Sequence, residues 1–208
     1  MKKPVLPLLD KDLFVKGLIH HYEEDVLEEH LENNELNLSF YTRQEIEPES
    51  YIIYPTKHGK QHLLVVKRIE EEQGTKQEWY RIEAESAATG ELINAFIHPN
   101  KEETTFSLEQ AMSYALQTTD WEVGETPFVD FKDISFEWTS VKDALNIIAG
   151  VFGAELEYEV IFNGSKVMNK IVHAKMKRGQ NKGLFVEVDY NSEDVRKTVN
   201  SENLISAL

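Results

Sequence analysis

The stretch Ser140–Gly164, SVKDALNIIAGVFGAELEYEVIFNG, carries local signals for a helix, a strand and a turn in succession. Ser140 suits the position before a helix, because its hydroxyl accepts a hydrogen bond from an unpaired backbone N–H group. Gly153 suits the left-handed position that follows the last helical residue. A helix over residues 140–152 is therefore predicted. Its core-facing residues are expected to be Val141, Ala144, Leu145, Ile148, Val151 and Phe152.

Gly150 lies inside this predicted helix. A glycine in a helix interior costs about 1 kcal/mol relative to alanine, because its backbone loses more freedom on folding. We hypothesise that Gly150 is tolerated because another group packs closely against it.

The same stretch then predicts a β-hairpin over residues 155–173. Apolar residues alternate with glutamates in ELEYEVIF, which is the period of a half-buried strand. Asn163-Gly164 is a strong hairpin signal because both residues accept a positive φ. The register expected from a two-residue loop pairs Val160 with Val167, Leu156 with Ile171 and Glu157 with Lys170.

The first half of the chain is rich in strand patterns. Glu35–Thr42 alternates between apolar and polar residues, and Tyr51–Pro55 reads as a short strand ended by proline. His62–Glu72 and Gln77–Ser86 are β-branched and aromatic runs, which predict two strands joined by a loop. Asp25–Asn34 fits either a helix or an irregular strand.

A second segment with helical signals follows a polar stretch. His98–Thr105 contains a proline and reads as a linker. Ser107 and Gln110 then form a capping-box pattern, followed by an apolar stripe that predicts a helix over residues 107–117. Helices and strands do not alternate as βαβ units require, so the predicted fold class is α+β and rich in β-structure.

Composition and charge exclude several classes of protein. The chain has 208 residues, no cysteine and a net charge of −15, so disulfide scaffolds and thiol chemistry are excluded and stable nucleic-acid binding is not expected. The one basic cluster, Lys175–Lys182, fits a solvated strand edge. The first ten residues lack the apolar run of a signal peptide, and Ala144–Ala154 is too short to cross a bilayer. A protein made in the cytoplasm, with no membrane segment, is expected.

A search for chemistry selects no site. The histidines match no metal-binding spacing, and we expect His173 to be solvated on a strand edge. No strained serine turn or phosphate-cradling loop is present. Paired carboxylates are not excluded, although no pair stands out. Trp79, Trp121 and Trp138 fit the core better than a sugar groove. We therefore predict no catalytic, cofactor-binding or metal-ligating residue.

Three stretches together resemble a known family. They are SLEQAMSYALQTTDWEVGE, SFEWTSVKDALNIIAGVFGAELEYEVIFNGSKV and KRGQNKGLFVEVDYNSEDVRKTVNSENLISAL. Their order of helix, T-x-W-x-V-G strand, second helix, NG hairpin and final T-V-x-S-x-N-L is similar to the N-terminal region of phage tail-associated proteins. These are also called prophage endopeptidase tail or minor structural proteins, and the resemblance covers about residues 105–208.

The resemblance implies a hub like that of contractile tails. Each protomer would contain two small tube-like domains of β-barrel or sheet type, with a few helices, over residues 1–97 and 98–180. Residues 181–208, including a strand at Gly183–Tyr190, would return to the first domain. A homotrimer would dock on the distal tail or tail-tube protein in the virion tail. From the net charge we add the hypothesis that the lumen is acidic, so that passing DNA would not adhere to its wall. Family members continue beyond the position of Leu208, where hydrolase or receptor-binding modules would lie.

Two other functions stay open at this point. The chain is also compatible with the non-catalytic scaffold of a tail-associated peptidoglycan hydrolase or endopeptidase. A carbohydrate-binding adhesin module would instead use exposed tryptophan and tyrosine faces.

Overall fold

The computed structural model describes residues 3–30, 35–55, 59–73, 78–127 and 130–176. Within these ranges the chain forms twelve strands and three helices, as the β-rich α+β prediction requires. No helix in the described ranges is long and apolar enough to cross a membrane. The predicted strand Gly183–Tyr190 and most of the basic cluster Lys175–Lys182 lie outside the described residues.

The largest sheet is antiparallel throughout and has seven strands in the order β2-β1-β5-β6-β7-β4-β3. Its two edge strands are not paired with each other, so this sheet does not close into a barrel in the described ranges. Its strands are β1 (Leu6–Leu9), β2 (Val15–Ile19), β3 (Tyr22–His30), β4 (Glu35–Thr42), β5 (Tyr51–Pro55), β6 (Gln61–Gln73) and β7 (Glu78–Ser86).

Strands β3 and β4 show how sequence pattern and pairing decide the sheet. The alternation predicted for β4 is present, with Leu36, Leu38 and Phe40 buried. The ambiguous segment at Asp25 belongs to strand β3, and a bulge with Glu24 at a φ of 52° interrupts its ladder with β4. Bulges and charged residues are usual at sheet edges, where they discourage unwanted pairing.

The rest of the chain forms a helical layer with two small sheets. Strands β8 and β10 pair with each other, while β12 lies between β11 and a parallel β9. The elements are α1 (Ala87–Asn94), β8 (Asn100–Ser107), α2 (Leu108–Leu116), β9 (Trp121–Val123), β10 (Phe131–Phe136), α3 (Val141–Phe152), β11 (Glu155–Phe162) and β12 (Val167–Lys175).

Both predicted helices have the ends that their sequences indicate. The Ser107 side chain accepts from the Gln110 N–H while Gln110 accepts from the Ser107 N–H, completing the capping box of α2. Ser140 begins α3, and Gly153 ends it at a φ of 65°. The prediction of these helix ends is confirmed. It was possible from sequence because each end depends on contacts within one helical turn.

Three local predictions are wrong. The supposed linker His98–Thr105 mostly lies in β8, a polar strand that is fixed by pairing with the distant β10. Val151 is 43% exposed rather than part of the buried face of α3. A Cβ atom added to Gly150 would meet nothing within 4 Å, so no close neighbour explains this glycine.

The hairpin forms where predicted, but its register differs. Val160 pairs with Lys170 and Glu157 with His173. Asn163 Oδ1 accepts hydrogen bonds from the Ser165 and Lys166 N–H groups at 2.9 Å, which moves the tip of the turn to Gly164-Ser165. A register shift at Ile161/Phe162 adds a further offset.

Two hydrophobic clusters fill the described chain. One lies within the large sheet and includes Leu6, Phe40, Ile52, Leu64 and Ile82. The other joins three residues of that sheet, Leu9, Ile53 and Leu63, to the three helices and the small sheets. The domain boundaries near residues 97 and 180 stay predictions.

Candidate assembly surface

The described ranges contain no group of three or more histidine, aspartate or glutamate side chains placed to hold a metal ion. His20, His21 and His98 are exposed, and His62 is half-buried. That no residue is catalytic or binds a cofactor stays a prediction.

His173 is a structural residue, and the prediction that it is solvated is wrong. Its side chain is 12% exposed and packs under the segment that follows β9. Nδ1 accepts the Glu125 backbone N–H at 3.0 Å, and Nε2 lies 3.2 Å from a carboxylate oxygen of Glu159. Because Nδ1 accepts a hydrogen bond, the neutral tautomer that fits has its proton on Nε2, and this N–H group donates a hydrogen bond to Glu159.

A polar network surrounds the buried Trp121. The indole Nε1–H donates to Glu91 Oε2 at 2.7 Å, and Lys170 Nζ lies 2.8 Å from the same oxygen. The ammonium of Lys170 is also 5.8 Å from the Trp121 ring centroid, and Tyr158 meets the ring edge-on. Glu91 thus ties α1 to β9 and β12, and the charges in this network are already paired.

A second polar cluster holds the start of the chain against the large sheet. Asp25 accepts hydrogen bonds from Lys3 Nζ at 2.5 Å and from the Tyr54 hydroxyl at 2.9 Å. Burial raises the pKa of Asp25, but these hydrogen bonds and the charge of Lys3 outweigh it, so the pKa is lowered. Burial and Asp25 together raise the pKa of Tyr54 to about 12.

Polar residues also line an open depression of about 510 Å³ beside Trp121. It combines Lys11 and Lys170 with Asp12, Glu91 and Asp120. The charged pair that converges here, Glu91 and Lys170, is already engaged in the structural network around Trp121. We therefore assign no chemistry to this depression.

Trp138 contradicts the expectation that the tryptophans lie in the core. It is 67% exposed and stacks on Phe96, with ring centroids 5.9 Å apart and ring planes 15° from parallel. The alternation that buries Ile134 and Phe136 would also have buried Trp138, but strand β10 ends at Phe136. The alternation of buried and exposed residues therefore stops before Trp138.

Backbone hydrogen bonds fix the two chain segments that carry this aromatic pair. The Ile97 N–H donates to the Thr139 carbonyl at 3.2 Å, and the Val141 N–H donates to the Ala95 carbonyl at 2.8 Å. The Thr118 hydroxyl also donates to the Phe96 carbonyl at 3.2 Å. No local sequence pattern predicts this pairing, because its two segments lie about forty residues apart in the chain.

Comparisons with solved structures show that several tail proteins share this fold. A tail protein from Neisseria meningitidis MC58 has a TM-score of 0.55 at 12% identity, over 81% of this chain and 49% of that chain. The prophage tail protein gp18 from Listeria monocytogenes EGD-e has a TM-score of 0.55 at 15% identity, over 92% of this chain and 56% of that chain. The 43 kDa tail protein of prophage MuSo2 from Shewanella oneidensis has a TM-score of 0.50 at 12% identity, over 82% of this chain and 54% of that chain.

These likenesses show a shared fold, and the chain spans about half the length of each solved structure. A comparison with curated proteins gave no match. Residues 94–172 match the family described as prophage endopeptidase tail domain, a range that includes α2, α3 and most of the hairpin. This region of the chain is therefore similar to the prophage endopeptidase tail domain, and the resemblance to phage and prophage tail proteins is confirmed.

Proposed function

We propose that the chain is a structural component of a phage or prophage tail tip, where it acts as a hub at the end of the tail tube. The observation that carries the proposal is the family match over residues 94–172. The fold shared with prophage tail proteins over most of the chain supports it. In this role three copies form a ring that docks on the distal tail protein.

Contacts between the hairpin and the large sheet support a rigid building block. The Val15 N–H donates to the Ser165 carbonyl at 2.8 Å, and the Phe162 N–H donates to Gln61 Oε1 at 3.2 Å. An ion pair joins Lys60 to Glu157 across the same interface. A closed ring requires each copy to present the same surfaces, and such cross-links restrain the hairpin against the sheet.

The charge of the chain suits a tube through which DNA passes. A net charge of −15 disfavours stable phosphate binding, so DNA would not adhere to a wall built from this protein. In the proposed ring, acidic side chains line the lumen. A structure of the assembled tip in which these side chains point away from the channel would contradict this part of the proposal.

Any peptidoglycan hydrolysis is assigned to other modules of the tail. The family name includes an endopeptidase tail, but the charged networks of the described residues form structural ion pairs and hydrogen bonds. The chain is proposed to support such a module rather than to cut bonds itself. A cell-wall zymogram of the purified chain should therefore be blank.

The test is the location of the chain in assembled particles. Tails are purified from the strain that carries this gene, their proteins are identified by mass spectrometry, and the chain is located by immunogold electron microscopy. We expect gold at the distal end of the tail and a native mass consistent with three copies. Absence from purified tails, or gold along the shaft, would contradict the tail-tip role.

A further inference from the structure

Phe96 and Trp138 form an exposed aromatic platform. Phe96 is 47% exposed, and its stacking against Trp138 leaves the other face of the indole open to solvent. The backbone hydrogen bonds between residues 95–97 and 139–141 hold the two segments side by side, and the stacking contact restrains the rings. A large apolar group that is exposed and held in one orientation is well suited to a protein interface, because little side-chain entropy is lost on binding.

The other two tryptophans show which groups pack on indole rings in this protein. The Arg43 guanidinium lies 4.5 Å from the Trp79 ring centroid, and the Lys170 ammonium lies 5.8 Å from that of Trp121. The exposed Phe14 has Lys166 at 4.9 Å. Among the cations in the described part of the chain, none lies over Trp138. Among the described residues, Trp138 is therefore the tryptophan whose ring has no cation over it.

The charge of the chain indicates the kind of partner that would supply one. The net charge is −15, and the residue before Trp138 is the exposed Glu137. Tryptophan is the best cation–π acceptor among the side chains, and a nearby carboxylate strengthens the attraction of a cation. A second copy of this chain would bring the same excess of negative charge, so a basic partner is the better electrostatic match.

We propose that the Phe96–Trp138 platform anchors a different tail protein, which places an arginine or lysine side chain over Trp138. The proposal rests on the proposed function, since it takes the partner from the tail. Tryptophan and arginine are the residue types most enriched at the energetic centres of protein interfaces. The platform is thus one contact face of the hub, and the partner surface opposite it is basic.

The first test replaces Trp138 with the photo-crosslinking amino acid p-benzoylphenylalanine in the full chain, within assembled tails. Crosslinked peptides are identified by mass spectrometry. We expect a crosslink to a different tail protein, beside an arginine or lysine. In tails that contain the chain, the proposal is wrong if the crosslink joins a second copy, joins another part of the same chain, or does not form.

A matched pair of variants measures the strength of the contact. Phe131 is 62% exposed and serves as the control, because it is an exposed aromatic residue of β10 that lies outside the platform. Trp138→Ala should weaken binding to the crosslinked tail protein about tenfold, as expected for the loss of a desolvated cation–π contact. Phe131→Ala should leave it unchanged. Equal weakening by both variants would contradict a specific anchor.

A third measurement does not depend on tail assembly. The indole N–H signals of the ¹⁵N-labelled chain are followed by NMR during titration with tetra-arginine amide, and Trp138→Phe assigns the signal of interest. We expect the Trp138 signal to shift with tetra-arginine and to stay in place with tetra-glutamate. No shift with tetra-arginine, or a shift with chitotetraose alone, would overturn the proposal. If the chain is absent from tails, the proposed function fails, and this titration still decides the chemistry of the platform.

Discussion

Trp121 and Trp138 lie in the same helical layer, yet their surroundings are opposite. Trp121 is 4% exposed, with a hydrogen-bond acceptor, a cation and an aromatic partner from its own chain. Trp138 is 67% exposed and stacks on the ring of Phe96. The difference indicates that the first region stabilises the fold, whereas the second is available for a partner.

The comparison is tested most strongly by truncating each tryptophan. Trp121→Ala should lower the free energy of unfolding by about 3–5 kcal/mol, because it removes a large buried side chain and leaves a cavity. Trp138→Ala should change it by less than about 0.5 kcal/mol, as is usual for exposed positions. Urea denaturation of both variants measures the difference. If Trp138→Ala is as destabilising as Trp121→Ala, then the platform is part of the folded core.

Gly124, directly after β9, tests how tightly this part of the interior is packed. A Cβ atom at this position would lie 2.5 Å from His173 Nδ1 and 2.6 Å from Ile171 Cγ2. Gly124→Ala should therefore destabilise the protein by about 1–3 kcal/mol through overpacking. A double-mutant cycle with His173→Ala provides the control, since removing the imidazole should relieve part of the clash. Simple additivity of the two free-energy changes would show that His173 does not restrict this space.

Glu91 tests the electrostatic part of the Trp121 region. Glu91→Ala leaves the Trp121 Nε1–H and the Lys170 ammonium without this shared acceptor, so a loss of about 1–3 kcal/mol is expected. Glu91→Gln should cost less, because its amide oxygen can still accept from the indole. Asp120→Ala is the matched control, since its carboxylate is 91% exposed and 3.8 Å from Lys170. Thermal unfolding of the three variants should show this order, and a large effect at Asp120 would contradict it.

The features that the sequence predicts well are those decided within a few residues. The capping box at Ser107 and Gln110 and the left-handed Gly153 require one turn of helix and a known backbone preference. The alternation of β4 is equally local, because a strand buried on one face needs an apolar residue at every second position. The β-rich α+β fold class follows from such signals.

The features that the sequence does not predict depend mostly on contacts between distant segments of the chain. Strand β8 is polar and contains no alternation that marks a strand, and it forms because β10 pairs with it. The sequence does not predict helix α1 either, since Ala87–Asn94 contains Gly90 and follows directly on the strand that ends at Ser86. The Trp138 platform depends on the pairing of residues 95–97 with 139–141, which no local pattern indicates.

Gly150 gives the smallest expected effect and contrasts directly with Gly124. Gly124 follows β9 and Gly150 lies inside α3, and a Cβ at Gly150 has open space within 4 Å. Gly150→Ala should therefore raise the free energy of unfolding by up to about 1 kcal/mol, because alanine lowers the entropic cost of forming the helix. Urea denaturation of the isolated chain tests this, with Gly124→Ala as the opposite case. A neutral or destabilising result would mean that another group does contact this face of α3, as the sequence first suggested.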